Sequence, residues 1–428
     1  MNKPYTIHIG DCREVLATMP EQHFHCCVTS PPYFGLRDYG VSGQIGLEPT
    51  PDAFVAAMVD VFRGVWRVLR DDGVAWLNLG DSYAGGGNYR GVNSEETLSA
   101  KHRSNGGATG ISQQLGATKE KMCDCKPKDL LGIPWRVAFA LQADGWYLRD
   151  AIIWHKPAPM PGSQRDRCTS SYEFIFQLTK KARYYFDLEA VKEPIVKGDA
   201  GSSFIEGKTN ATHANVGRGP RFGGNHHDAV ANRAYSGNEY KPTGTRTPRN
   251  VWKIAHEGFS GAHFATFPRE LPMRCIKAST SEKGCCPACG APWVRVVERD
   301  RVPTRPGERC KSGLTGGAYN PPGQAPHSNA RLIGNRDDNR HVTETKTTGW
   351  EPGCECGHDP APCRVLDPFN GAGTTGIAAC TLGREYDGIE LNPAYADMAR
   401  ERIALELNPS TARVEKDEPA PLFGASAN

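Results

Sequence analysis

The sequence lacks a strong charge of one sign, a long apolar run and the lysine motif of phosphate-binding loops. Its 428 residues carry 51 Lys and Arg against 48 Asp and Glu, which leaves a net charge of +3. A histone-like polycation is therefore excluded, and any surface that binds nucleic acid must be local. No segment reaches the roughly 18 uninterrupted apolar residues of a membrane span. The first residues lack the apolar core of a signal peptide, so we expect a cytoplasmic protein without membrane contact.

Two further features of the composition narrow the class of protein. With 38% hydrophobic and 23% charged residues, the chain has a globular composition, which excludes a fibre and wholesale disorder. Its length predicts two or three domains. Fifteen cysteines are many for a reducing compartment, where disulfides are rare. Clustered cysteines therefore indicate metal ligands, with small buried side chains as the alternative.

Strand and helix patterns alternate along the chain and predict an α/β fold with a mostly parallel sheet and helices on both faces. The Asp-Asp-Gly sequence at residues 71–73 is predicted to end the second helix. Residues 364–407 repeat the order strand, glycine turn, helix, strand, helix. Strands are expected at 5–9, 24–28, 74–79, 147–154, 172–178, 184–186 and 386–389, and helices at 12–18, 52–69 and 134–143.

A tight glycine turn follows the predicted strand that ends at Asp367. Gly371 and Gly373 would let a ligand approach the backbone closely, and G-x-x-x-x-G-K-[ST] is absent, so an ATP cradle is not supported. Glu390, at the tip of the next strand, can accept both hydroxyls of a ribose. Asp367 is placed to attract a cation such as an ammonium group. A nucleoside joined to an amino acid describes S-adenosylmethionine; an NAD-type site and a purely structural turn are the alternatives.

The second motif is Thr-Ser-Pro-Pro-Tyr at residues 29–33, which closes an apolar strand. Pro31 and Pro32 cannot donate hydrogen bonds, which leaves carbonyl groups and the Ser30 hydroxyl as acceptors. A base extracted from DNA could stack on Tyr33 while its amine donates to Ser30 and to the Pro31 carbonyl. Two such acceptors would turn the amine lone pair toward a sulfonium methyl group for in-line displacement. A proline-rich strand end without function is the alternative.

These segments resemble the amino-methyltransferases of DNA, in the permuted order that places the catalytic motif before the cofactor motif. The matching segments are residues 29–33, 78–83, 263–271, 367–375 and 390–395. The resemblance implies a Rossmann-like, S-adenosylmethionine-dependent fold whose mostly parallel sheet has one antiparallel strand. It also implies methylation of cytosine N4 or adenine N6 in a short site of double-stranded DNA.

The resemblance also assigns roles to residues. It places the target base at Ser30, Pro31, Pro32 and Tyr33, and the cofactor ribose at Glu390. The serine in this motif favours cytosine, although adenine stays open because Ser and Asp can both accept from an amine. Residues 126–187, which include Arg165–Arg167 and Tyr172–Glu173, resemble the family's intermediate region without firm roles. The other residues expected to bind the cofactor are Asp367, Phe369, Gly371, Gly373, Thr374, Thr375, Phe264 and Pro268.

Two pairs of cysteines have the spacing of metal ligands. Cys286 and Cys289 form a C-x-x-C pair that is typical of a zinc knuckle, and Cys354 with Cys356 would supply the other two thiolates. A zinc ion with all four positions filled would be structural. Free thiols are the alternative, and the possible substitute ligands are Cys310, His341, His358 and Cys363.

The motifs divide the chain into parts. Residues 1–190 are expected to form the catalytic half, with a flexible insert at 84–122. Residues 251–280 and 364–408 form the cofactor half. The remaining parts are a basic insert at 191–250 that could recognise the target, a zinc-knuckle insert at 281–363 and a disordered tail at 409–428. A solvated linker is the alternative for the basic insert. Between residues 201 and 250 the charged side chains are seven Lys or Arg and three Asp or Glu.

Three functions compete on these grounds. The first is a site-specific DNA methyltransferase that acts on double-stranded DNA, with a restriction endonuclease as a possible partner. The second is a methyltransferase for RNA or a small amine, which would not need the basic insert. The third is a zinc-containing nucleic-acid-binding protein without activity, against which the intact Ser30, Asp367 and Glu390 argue.

Overall fold

The structure is a computed structural model that describes residues 4–36, 39–84, 125–159, 161, 164–194, 245–257, 267–303 and 341–408. Residues 85–122 of the predicted insert, most of the basic insert and the tail after residue 408 lie outside the described residues. Among the helices that are described, none combines the length and the hydrophobicity that a membrane span needs.

Strands and helices alternate as the sequence predicts. The described strands are β1 Tyr5–Ile9, β2 Phe24–Thr29, β3 Leu69–Leu79, β4 Tyr147–His155, β5 Tyr172–Thr179, β6 Glu193–Pro194, β7 Thr245–Arg246, β8 Val251–Lys253, β9 Val294–Pro303, β10 His341–Glu351, β11 Arg364–Asp367 and β12 Glu385–Glu390. The described helices are α1 Cys12–Thr18, α2 Pro51–Val68, α3 Ile133–Ala143, α4 Leu188–Val191, α5 Glu270–Ser279, α6 Thr374–Thr381 and α7 Pro393–Leu407.

Eight strands form one sheet in the order β1-β12-β11-β2-β3-β5-β4-β8. Strand β5 is antiparallel to both of its neighbours, β3 and β4, and the other neighbouring pairs in the sheet are parallel. The prediction of a mostly parallel sheet with one antiparallel strand is therefore confirmed. Strands β9 and β10 form a separate two-stranded sheet, as do β6 and β7.

Apolar side chains of the large sheet alternate between two buried layers. In β3, Ala75 and Leu77 join the layer formed with α1, α2 and α3, whereas Val74 and Trp76 join the layer formed with α5, α6 and α7. Successive side chains of a strand point to opposite faces, so a strand buried on both faces must be apolar throughout. The arrangement confirms that helices cover both faces of the sheet.

Helix α2 shows why its residues form a helix at this place. The Thr50 side chain accepts the N–H of Ala53 at 3.1 Å, and Pro51 occupies the first turn, where a missing donor costs no helical hydrogen bond. The buried face of the helix has apolar side chains at steps of three or four residues, and it includes Phe54, Met58, Val61, Phe62 and Val65.

The prediction that residues 71–73 end the second helix is wrong. Helix α2 ends at Val68, and β3 begins directly at Leu69 and runs through Gly73. Leu69 pairs with Phe24 of β2, and the register then shifts before Cys26 pairs with Val74. A Cβ on Gly73 would lie 3.0 Å from the His25 carbonyl oxygen, so this glycine serves the close approach of two strands rather than a turn.

The predicted strand at residues 184–186 is also wrong, because this segment is irregular. The backbone N–H of Tyr185 donates to the Asp72 carbonyl at 2.9 Å instead of joining a strand ladder. Tyr184 packs against a buried apolar layer, and its ring contacts the Phe186 ring edge to face. The aromatic residues of the predicted strand therefore belong to a connecting segment.

Two compact units divide the chain. The first consists of Met1–Val191, Arg249–Arg295 and Trp350–Asn428 and contains the eight-stranded sheet. The second consists of Lys192–Pro248 and Val296–Gly349, whose described strands are β6, β7 and most of β9 and β10. The finer division into catalytic, cofactor, basic and zinc-knuckle parts stays a prediction.

Candidate functional site

The two sequence motifs meet at the carboxyl ends of neighbouring strands. Strand β2 pairs directly with β11, and Cys27 lies opposite Leu366. One step beyond this pairing, the Thr29 hydroxyl donates to Asp367 Oδ1 at 2.6 Å, across 338 positions of sequence. Ser30 follows directly after Thr29, so the start of the proline motif and the start of the glycine turn lie side by side.

Asp367 is buried beneath the glycine turn, with 1% of its surface exposed. Its Oδ2 accepts from the Thr375 hydroxyl at 2.7 Å, and its Oδ1 also accepts from the Phe369 backbone N–H at 3.0 Å. Burial away from water raises the pKa of this carboxyl to about 6. The sequence suggested that Asp367 attracts an ammonium group, but the structure directs its carboxylate into the protein, where it holds the turn against β2.

The glycine turn needs its glycines for two different reasons. Gly371 and Gly373 have φ angles of +50° and +74°, which lie in the left-handed region that favours glycine. A Cβ on Gly373 would also come within 2.9 Å of the Ala399 Cβ in α7. The turn can therefore keep its backbone open to a ligand while α6 begins directly at Thr374.

Glu390 closes the other side of the turn at the end of β12. Its Oε2 accepts from the Gly371 N–H at 2.8 Å, and its Oε1 accepts from the Asn392 N–H at 2.9 Å. Burial raises the pKa of Glu390, although these backbone donors oppose the shift. Each carboxylate oxygen can accept more than one hydrogen bond, so the predicted contact with ribose hydroxyls is compatible with this geometry.

Tyr33 is fixed at both ends of its side chain. Its hydroxyl donates to Glu173 Oε2 at 2.6 Å and lies 3.5 Å from the Ser30 Oγ. One part of its ring lies against Gly80, where a Cβ would come within 2.5 Å of the ring. Burial, followed by the charge of Glu173, holds the pKa of Tyr33 well above its usual value, so the hydroxyl stays protonated and donating.

Three side chains that sequence analysis left without roles complete this group. Glu173 forms a salt bridge with Lys156 and accepts from Asn78 Nδ2 at 3.2 Å. Asn78 lies at the end of β3, Lys156 directly after β4 and Glu173 at the start of β5. These three positions meet at one edge of the sheet because β5 runs antiparallel to β3 and β4. The adjacent polar pair Tyr172–Glu173 was the available signal, but no periodicity reveals the direction of a strand.

The other predicted residues are placed as follows. Thr374 and Thr375 are buried at the start of α6, Phe369 packs against the apolar layer of α1 to α3, and Pro31 is buried beside the half-buried Pro32. Pro268 is buried just before α5, where its carbonyl accepts from the Leu271 N–H at 3.1 Å. The predicted contribution of Phe264 lies outside the described residues.

Comparison with known proteins identifies the family. A family model described as DNA methylase, which covers N6- and N4-methyltransferases, matches residues 24–286 and 364–401. The chain belongs to this DNA methylase family. The predicted resemblance is therefore confirmed, and the matched ranges include both the Thr29–Tyr33 motif and the glycine turn.

Two relatives of this DNA methylase match nearly its whole length. It is 35% identical to the Type II methyltransferase M.SmaI of Serratia marcescens, over 93% of this chain and 90% of that protein. It is 34% identical to the Type II methyltransferase M.Cfr9I of Citrobacter freundii, over 93% of this chain and 87% of that protein. Among solved structures, it is similar to the PvuII DNA methyltransferase (cytosine-N4-specific), with a TM-score of 0.47 and 14% identity over 95% of this chain and 93% of that chain.

The DNA methylase also brings its predicted metal ligands together, away from the glycine turn. The sulfur atoms of Cys286, Cys289, Cys354 and Cys356 all lie within 4.8 Å of one another. We call this group the cysteine cluster. Of the possible substitutes, His358 is exposed, Cys363 lies with His25 and Cys285 in a separate group, and Cys310 and the His341 side chain lie outside what the structure describes.

Proposed function

We propose that this DNA methylase transfers the methyl group of S-adenosylmethionine to the exocyclic N4 amine of cytosine in double-stranded DNA. The single observation that carries the proposal is the hydrogen bond from Thr29 to Asp367, because it places the base motif next to the turn expected to hold the cofactor. A methyl donor and an acceptor amine must come within about 3–3.5 Å of each other for direct transfer.

In this proposal the cofactor binds over the glycine turn at Gly371 and Gly373. Glu390 accepts the ribose hydroxyls, and Asp367 acts through the turn as a positioning residue rather than as a direct contact. The side chains need only position the two reactants, because S-adenosylmethionine carries its own activated methyl group on a sulfonium.

The target base binds beside Ser30, whose hydroxyl and the Pro31 carbonyl accept the two amine protons. Tyr33 provides the stacking surface, held by Glu173. With its protons held, the amine nitrogen directs its lone pair to the methyl carbon; the N–C bond forms as the S–C bond breaks, and one amine proton then leaves to solvent. Positioning and electrostatics supply the rate enhancement, without a strong base.

Cytosine N4 is favoured over adenine N6 by the serine at position 30, and adenine remains the second candidate. The test is incubation of duplex DNA with the protein and S-adenosylmethionine, followed by hydrolysis to nucleosides and mass spectrometry. We expect N4-methylcytosine. N6-methyladenine would overturn the choice of base, and methylation of RNA or of a free nucleoside in parallel reactions, with none of duplex DNA, would overturn the proposed substrate.

A restriction-modification role is supported by the names of the relatives, which are Type II methyltransferases. A cognate restriction endonuclease is accordingly the proposed partner, and the basic insert is the proposed surface for target recognition. Plasmid methylated by the protein should resist cleavage by an endonuclease of the same recognition sequence. The proposed zinc ion at the cysteine cluster takes no part in the methyl transfer.

A further inference from the structure

The cysteine cluster has the geometry of a closed tetrahedral metal site. Four thiolates around one zinc ion at a Zn–S distance of about 2.3 Å lie roughly 3.8 Å apart. The four sulfur atoms here, each within 4.8 Å of the others, can reach that arrangement with small side-chain adjustments. Four protein ligands leave no open position for water or substrate, which is typical of a structural ion.

A tight turn carries the first two cysteines of the cluster. The turn closes at Gly290, where φ is +72° and the N–H donates to the Cys286 carbonyl at 2.8 Å. The turn therefore holds the sulfur atoms of Cys286 and Cys289 close together, as a C-x-x-C pair that shares one metal ion requires.

The segments that carry the cysteines contribute little apolar core of their own. Residues 284–293 and 352–362 contain one large apolar side chain, Trp293. Their backbones nevertheless approach closely: a Cβ on Gly284 would lie 2.3 Å from the Ala361 oxygen, and one on Gly353 would lie 2.3 Å from the Pro292 oxygen. Such small, polar segments commonly take their stability from a bound metal rather than from an apolar core.

The turn at residues 286–290, which carries the first two cysteines of the cluster, is attached to the sheet at the end opposite the proposed active site. Arg70, near the start of β3, donates to the Cys289 carbonyl at 2.7 Å. His25, near the start of β2, accepts the Arg364 N–H at Nδ1, so its Nε2 carries the proton that is donated to the Gly290 carbonyl at 2.9 Å. Both ring nitrogens of His25 are therefore engaged in hydrogen bonds, so the neighbouring group of His25, Cys285 and Cys363 does not offer a second metal site.

We propose that Cys286, Cys289, Cys354 and Cys356 bind one structural zinc ion per chain. The ligands precede β9 and follow β10 in the sequence, so the ion joins the two stretches of chain that flank these strands. Because Arg70 and His25 hold the first of these stretches at the start of β2 and β3, the ion also connects the second stretch to that end of the sheet. The proposal does not depend on the methylated base or on catalytic activity.

Metal analysis of the purified full-length protein tests the site directly. We expect one zinc per chain in the wild type, loss of most of it in Cys289→Ser and Cys356→Ser, and no change in the control Cys168→Ser, an exposed thiol outside the cluster. A wild type purified without chelators that contains no zinc, or that contains iron instead, would overturn the assignment. Full zinc content in both cluster variants would do the same.

A second measurement avoids the risk that these variants fail to fold. Wild-type protein produced in cobalt-supplemented medium should show the visible absorption bands of tetrahedral Co²⁺ and the ultraviolet thiolate-to-cobalt charge-transfer bands. Those bands should disappear when zinc is added. Cobalt-free protein whose four thiols are joined in disulfides, as shown by non-reducing peptide mass spectrometry, would contradict the proposal whatever the methyltransferase activity.

Discussion

Asp367 shows at the residue scale how burial changes the chemistry expected of a side chain. Because its folded pKa of about 6 lies above the usual 3.8, the folded state holds the proton more tightly than the unfolded state. Its contribution to stability is therefore present below pH 3.8 and is lost as the pH rises through 6. The loss amounts to about 3 kcal/mol, since one pKa unit corresponds to about 1.4 kcal/mol.

Asp367→Asn should remove this pH dependence. The amide oxygen can still accept from Thr29 and Phe369, while the amide NH2 can donate to the Thr375 hydroxyl. We expect the free energy of unfolding of the variant, relative to wild type, to increase by about 2 kcal/mol between pH 4 and pH 7. Urea unfolding of both proteins across this range measures the difference, and a difference that is constant with pH would contradict the buried, titrating carboxyl.

Ser30 should act on the base and not on the cofactor. Ser30→Ala removes one of the two proposed acceptors of the amine protons, so we expect methyl transfer to fall by at least about a hundredfold, a typical loss for one transition-state hydrogen bond. Calorimetry should give an unchanged Kd for S-adenosylmethionine. Thr18→Ala, which removes an exposed hydroxyl from α1, is the control; an equal loss of cofactor affinity in Ser30→Ala would refute the assignment.

Glu173 is predicted to position Tyr33 rather than to react. Glu173→Gln should lower kcat by about tenfold because it weakens the hydrogen bond that orients the ring and removes the charge facing Lys156. In a Tyr33→Phe background the same change should have a smaller effect, since the hydroxyl is already absent. Glu385→Gln, at a half-exposed ion pair at the start of β12, is the control. If the effects of Glu173→Gln and Tyr33→Phe on kcat are fully additive, Glu173 does not act through Tyr33.

At the scale of elements, two glycines with nearly the same backbone conformation offer a matched test of helix packing. Gly373 precedes α6 at φ +74°, and Gly383 follows it at φ +71°. A Cβ on Gly373 would press on Ala399 of α7, whereas a Cβ on Gly383 would meet nothing within 4 Å. Any difference between the two alanine variants therefore measures the contact between α6 and α7 and not backbone strain.

Gly383→Ala should cost about 1–2 kcal/mol of stability, the usual penalty for a left-handed alanine. Gly373→Ala should cost about 1–3 kcal/mol more because of overpacking, and it should also weaken S-adenosylmethionine binding by displacing the turn. Thermal unfolding and calorimetry provide the two readouts. Equal destabilisation of both variants would show that α6 and α7 are not in close contact at this point.

Residues 71–73, near the start of β3, explain an error of prediction at the same scale. An Asp-Asp-Gly sequence typically ends an element, yet here it belongs to β3, where Asp71 bonds with Gln22 and Asp72 with Arg70. These contacts depend on where β2 and its preceding loop lie. Local propensity predicts that an element ends but not that a neighbouring strand will pair with its polar residues.

For the molecule as a whole, the hydrogen bond between Thr29 and Asp367 joins the two halves of the family's motif set. Thr29→Val keeps the shape of the buried side chain but deprives the carboxylate of a donor, so we expect about 1.5–3 kcal/mol lower stability at neutral pH and weaker cofactor binding. The control is Thr381→Val, whose lost hydroxyl bonds within its own helix to Ile377. A cost no greater than that of the control would argue against the link.

Much of the fold follows from the sequence alone, because burial periodicity and capping are local. The bounds of β1 and α1 agree with the predicted residues, and both motifs lie at strand ends as their prolines and glycines indicate. The residues proposed to bind the base and the cofactor were for the same reason recognisable from short motifs.

Only the tertiary structure decided which of these residues act together. The reversed direction of β5 brings Glu173 to the edge where Tyr33 lies, and the pairing of β2 with β11 brings the Thr29 hydroxyl to the buried Asp367 carboxylate. Strand order and direction depend on how the complete chain buries its apolar surface on both faces of a sheet. That condition is set by contacts between residues far apart in sequence, which no local pattern contains.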